Sequence, residues 1–120
     1  MPNSMMRSCS LAFLMVLFLA TCFVVSADQR NNNRRRAPQL FSRHCAECHG
    51  ADGRAKTSKG KFSHARDLTD AKWQEDVTDE RIFNSIMNGR SVRGNMPAFS
   101  DKLNEKEAES LVSFVRKFKG

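Results

Sequence analysis

The stretch Cys45-Ala46-Glu47-Cys48-His49 decides how this chain is read. C-x-x-C-H is the pattern that attaches a c-type haem. Two thiols must add to the two vinyl groups of the porphyrin, and a gap of three residues on a helix puts Cys45 and Cys48 on one face, a turn apart. His49 follows at once. With the porphyrin edge pinned by two thioethers, its imidazole lies under the iron and offers Nε2 as the proximal ligand, while the other ring nitrogen needs a carbonyl to fix the ring.

Upstream, Leu11 to Ala27 is almost wholly apolar, preceded by Arg7 and followed by Val25-Ser26-Ala27, a small-residue cleavage site. Residues 1–27 read as a secretory signal peptide. An uncleaved anchor competes, since the run is at the short end of what spans a bilayer, but Arg30 and Arg34-Arg35-Arg36 follow it and only Arg7 precedes it, against the positive-inside rule. Leu19-Ala20-Thr21-Cys22 resembles a lipobox, with Thr21 where a smaller residue is usual. Of four cysteines, Cys9 and Cys22 leave with the leader, so the mature chain keeps only the haem pair and no structural disulfide. Such a chain belongs in a periplasmic or equivalent extracytoplasmic space, where a maturation system must keep both thiols reduced until haem arrives.

Residues 28–36 are polar and basic, without apolar periodicity, and read as a flexible tail. The run Arg30 to Arg36 is alternatively a docking arm for an anionic membrane surface or an acidic partner. The formal net charge of the whole chain is +7, so the surface is basic. Nothing in the pattern suggests nucleic acid as a partner. Residues 37–120 make one domain with a small core, which a cofactor would fill.

Within that domain the pattern predicts about three main helices. The first begins near Ala37 with Pro38 at N1 and runs into the haem motif; Phe41, Cys45 and Cys48 share a face. From Gly50 to Trp73 the chain reads as an irregular loop over one side of the haem. Arg54, Arg66 and Trp73 are candidates to hydrogen-bond the propionates, because a carboxylate accepts from a guanidinium or an indole N–H. His44 and His64 read as solvated, His64 being the alternative sixth ligand of imidazole type. The second helix starts at Thr78 as N-cap, with Val77 and Ile82 as a hydrophobic staple, and stops at Gly89; its Met87 packs in the core.

Met96 has no helical explanation. It lies in Arg93-Gly94-Asn95-Met96-Pro97-Ala98-Phe99, between two predicted helices, and a thioether on a stiffened loop suits an iron with histidine on its far side. The third helix opens on Leu103-Asn104-Glu105-Lys106-Glu107, a staple residue, an N-cap and a Glu at N3. Ala108, Leu111, Val112, Val115 and Phe118 then repeat at helical spacing, and the apolar face they make needs the first helix as its partner.

Together, the haem motif after an N-terminal helix, Gly50-Ala51-Asp52-Gly53, the Thr78-to-Gly89 helix, Met96-Pro97-Ala98-Phe99 and the closing helix resemble the small monohaem class I cytochromes c. The resemblance runs from Pro38 to Lys119. It implies an all-α, cytochrome c-like fold around one covalent haem c, His49 and Met96 as axial ligands, and an electron carrier rather than an enzyme. Many members hold the proximal imidazole with the carbonyl of a proline after the motif; here no proline lies between Pro38 and Pro97, and the acceptor for His49 is left open. Lys56, Lys59, Lys61 and Arg93 form a basic rim suited to acidic redox partners. A haem enzyme or gas-sensing subunit with a displaceable sixth ligand is the rival reading. A zinc site would need His44 or His64 as fourth ligand, and a redox C-x-x-C needs a βαβ setting that is not evident.

Overall fold

The computed structural model describes residues 29, 31–92 and 94–119. Contacts divide the chain into two units at 32/33, and the second, 33–120, holds the haem motif and every helix named below. The expected leader, Arg30 and Arg93 lie outside the described residues.

All regular elements among the described residues are helical. The first helix, α1, covers 33–44 of this unit, and α2 (Ala46–His49), α3 (Ser58–Phe62), α4 (Ala71–Asp76), α5 (Asp79–Asn88) and α6 (Glu105–Val115) come after it, with a 3-10 turn at Arg116–Phe118. No helix among the described residues is long and apolar enough to cross a membrane.

Two helices start where their local chemistry says. The Thr78 hydroxyl accepts from the Arg81 N–H at 3.2 Å, and the staple pair Val77 and Ile82 is buried. Asn104 and Glu107 form a reciprocal capping box, with 3.0 Å from the Glu107 N–H to the Asn104 side chain and 3.2 Å back. Gly89 ends α5 at φ +72°, where a Cβ would strike the Met96 carbonyl oxygen at 2.6 Å.

The core is one cluster to which α5 brings Ile82 and Ile86, α6 brings Ala108, Leu111, Val112 and Val115, and α1 brings Leu40 and Phe41. The Phe41 ring packs at a tilt against Phe114 and Phe118, with centroids 5.2 and 5.1 Å away, so α1 is the partner of the closing helix, and Phe41 serves that contact.

Two expectations need correcting. Helix α1 already covers 33–36, so Pro38 sits inside it rather than at N1, where its missing N–H forgoes the bond to Arg34. The anchors there are tertiary: Ala37 is buried, and Arg36 pairs with Glu107 at 3.4 Å. The stretch from Gly50 to Trp73 is not irregular throughout, because α3 and the start of α4 fall in it. Both are too short for a periodic pattern, and each is started by a side-chain cap, from Thr57 and Asp70.

Behind the core, Gln74 and Arg116 tie α4, α5 and α6 together. The buried Gln74 amide donates to the carbonyls of Leu68 at 2.8 Å and Val115 at 3.0 Å. Arg116 donates to the Gln74 and Val77 carbonyls at 2.6 Å each, to Gln74 Oε1 at 3.0 Å and to Asp79 at 2.7 Å. A planar guanidinium with five donors suits so many acceptors at once.

Candidate haem site

The motif forms one turn of helix. Cys45 N donates to the Phe41 carbonyl at 2.8 Å and so continues α1, and the N–H groups of Cys48 and His49 return to the Cys45 carbonyl at 3.1 and 2.9 Å. Gly50, at φ +77°, turns the chain away from α2.

Helix α3 is seated on this turn. Thr57 Oγ1 lies 2.7 Å from the Glu47 carbonyl and 3.1 Å from that of Cys48, so it serves acceptors that the end of α2 leaves unpaired, and it accepts from Gly60 N at 2.8 Å. A Cβ on Gly60 would stand 2.1 Å from the Cys48 carbonyl oxygen, so only glycine allows this approach. Nearby, Lys59 pairs with Glu47 at 2.7 Å, which holds its ammonium above the usual lysine range.

His49 is half-buried, and its Nδ1 lies 2.9 Å from the Arg66 carbonyl oxygen. A carbonyl only accepts, so Nδ1 carries the proton and Nε2 keeps its lone pair. Burial pushes the ring below the usual histidine range, with the Arg66 bond opposing it more weakly, so the ring is neutral near pH 7 and able to bind a metal. This carbonyl is the acceptor that sequence reasoning left open. No sequence signal marks it, since every residue has a carbonyl.

Cys45 and Cys48 are free thiols. Burial first, and the neighbouring Cys48 second, push the Cys45 thiol up to about 12, so it stays protonated near neutral pH. The donor set fits a c-type haem: two unbridged thiols on one turn, and a neutral imidazole next to the second whose Nδ1 is already held. Among the described residues no group of three or more His, Cys, Asp or Glu is placed to hold a metal ion.

Met96 lies outside the helices in a loop closed on itself, where Arg90 N donates to the Met96 carbonyl at 2.8 Å and Met96 N to that of Arg90 at 2.9 Å. Its side chain is half-buried and packs on the same core as Cys45, Trp73, Phe83 and Met87, so the loop and the motif border one apolar cluster. Met87 is partly buried, not fully inside. Of the three propionate candidates, Trp73 is half-buried there, while Arg54 and Arg66 are exposed, Arg54 lying 3.8 Å from Asp52.

Residues 32–115 match the family described as cytochrome C oxidase, cbb3-type, subunit III. The chain belongs to this family. Its cofactor is therefore a covalently bound haem c, and its fold is that of a small monohaem class I cytochrome c. Among solved structures, this cytochrome is similar to the KustC0563 c-type cytochrome, with 40% identity and a TM-score of 0.63 over 70% of this chain and 98% of the other. Among curated proteins it is 32% identical to the cbb3-type cytochrome c oxidase subunit FixP of Rhizobium etli, over 68% of this chain and 26% of that protein. It is 30% identical to a cytochrome c6-like protein of a Nostoc species, over 88% of both. The chain thus spans about a quarter of the length of the FixP relatives it matches.

Proposed function

We propose that this cytochrome c domain carries single electrons on one haem c held through Cys45 and Cys48, with His49 and Met96 as axial ligands. The bond from His49 Nδ1 to the Arg66 carbonyl carries the reading, because it leaves Nε2 as the ring's donor to iron. When bound, the haem supplies the ferric–ferrous couple. The chain's residues would do the rest: His49 would hold the iron through Nε2, and the Met96 thioether would be its second protein ligand, which would keep out oxygen and peroxide and raise the potential relative to a second imidazole. Arg54, Arg66 and Trp73 are the proposed donors to the propionates.

The exchange would take place in an extracytoplasmic space with a redox protein whose docking surface is acidic, the chain acting as a free carrier or as part of an oxidoreductase. Lys56, Lys59 and Lys61 are exposed, as are the apolar Phe62, 88% accessible, and Val92, 71% accessible. A basic surface steers a partner, and small apolar contacts suffice for a short-lived encounter. The basic run Arg30 to Arg36, whose residues 33–36 belong to α1 rather than to a flexible tail, is the proposed contact with an anionic membrane surface. Match to the cytochrome c6-like protein over most of both chains favours the carrier.

The test is the absorption spectrum of the reduced protein with and without carbon monoxide, for wild type and Met96→Ala. Covalent haem that ignores the gas in wild type and binds it in the variant is expected. Ready binding by wild type would favour an enzyme or sensor with an open sixth position.

A further inference from the structure

The loop that carries Met96 and the loop that orients His49 are bonded to each other. Asn95 N donates to the Ser63 carbonyl at 3.0 Å, and a Cβ on Gly94, whose φ is +158°, would stand 3.2 Å from the His64 carbonyl oxygen and 3.5 Å from that of Ser63. Three residues after Ser63 comes Arg66, whose carbonyl holds His49. The short segment Ser63-His64-Ala65-Arg66 thus touches the neighbour of Met96 at one end and the ring of His49 at the other.

That segment has little freedom of its own. Ser63 N and Oγ both donate to the Lys59 carbonyl, at 2.9 and 2.8 Å, and Ala65 N donates to that of Gly60 at 2.8 Å, so α3 holds it. Helix α3 in turn rests on the haem motif through Thr57 and Gly60. His64 turns the chain at φ +53°, a left-handed conformation that a β-branched residue adopts only at a cost.

We propose that Ser63–Arg66 is a latch that positions both axial residues, and that Gly94 is a positioning residue because a side chain there would strain the backbone at φ +158° and crowd the His64 carbonyl. This rests on His49 and Met96 as ligands and adds to it that the two are not set independently. Disturbing the latch from either side must loosen both.

The experiment compares holoprotein of wild type, Gly94→Val, His64→Val and His64→Gly by three readouts: hydrogen exchange of the Asn95 amide, the proton resonance of His49 Nδ1–H, and carbon monoxide binding to the reduced protein. Gly94→Val crowds the contact from the methionine side and His64→Val strains it from the histidine side. Each is expected to speed Asn95 exchange at least tenfold, to shift or broaden the Nδ1–H resonance, and to speed carbon monoxide binding at least tenfold. His64→Gly, which keeps the turn without strain, should match wild type, and would not if the His64 imidazole itself held the loops. Faster gas binding in Gly94→Val with an unmoved Nδ1–H resonance would overturn the latch, because the effect would then stop at the Met96 loop. If wild type already binds the gas freely, Met96 ligation fails, and the exchange rate and the Nδ1–H resonance alone decide the latch.

Discussion

His49 Nδ1 and the main-chain oxygen of Arg66 stand 2.9 Å apart, so the residue that orients the haem-motif imidazole does so without its side chain. Arg66→Ala leaves that carbonyl in place. The variant should load haem with the absorption spectrum of wild type, and its stability should fall by no more than about 1.5–3 kcal/mol, the loss of the one charged hydrogen bond proposed between the guanidinium and a propionate. Visible spectra and urea titration check both; a lost or altered haem spectrum would mean that the guanidinium holds the loop.

Gly60 is the reverse case, a position where any side chain intrudes on backbone. Its approach to the Cys48 carbonyl leaves no room for a methyl, so Gly60→Ala must push α3 off the motif. A loss of about 1–3 kcal/mol, the usual cost of overpacking, is expected with a lower yield of covalent haem. Pyridine haemochrome content per chain reads the yield, and full haem content with native stability would contradict the packing.

Gln74 and Arg116 should show up in stability without touching the haem. Gln74→Leu strands the Leu68 and Val115 carbonyls, at about 1–3 kcal/mol for each buried acceptor left unpaired. Arg116→Lys keeps the charge but cannot reach Gln74, Val77 and Asp79 together, and should lose about 1.5–3 kcal/mol. Denaturant midpoints of the two holoproteins should fall while their absorption spectra stay as in wild type.

Asp67, next to Arg66, gives a titration that can be followed directly. The Thr69 hydroxyl, 2.7 Å from Oδ1, is the chief cause that holds this carboxyl below the usual 3.8, and the Thr69 N–H at 2.8 Å helps. A depressed folded value means that the group stabilises the fold above about 3.8 and that this contribution is lost as pH falls through the folded value. Carboxyl carbon resonances should therefore show Asp67 titrating below 3.8 in wild type and closer to 3.8 in Thr69→Ala. No difference between the two would remove the hydroxyl as the cause.

What the amino-acid sequence determined here is what depends on neighbours along the chain. The haem motif needs its two cysteines and its histidine within one helical turn; the Thr78 cap and the Asn104–Glu107 box act over three residues; the face of α6 repeats every third or fourth residue. Met96 stood out because no local period explained it.

Tertiary structure decided the remainder, for a physical reason that recurs at each place. The acceptor for His49 and the acceptor for Asn95 are both main-chain carbonyls, which every residue has, so no residue type marks Arg66 or Ser63. Helix α1 covers 33–36 where Arg36 reaches Glu107, far along the chain, and α3 exists because the motif offers it carbonyls and room for a glycine. Local chemistry marks the candidate ligands, and contacts between distant backbone groups decide how the residues are held.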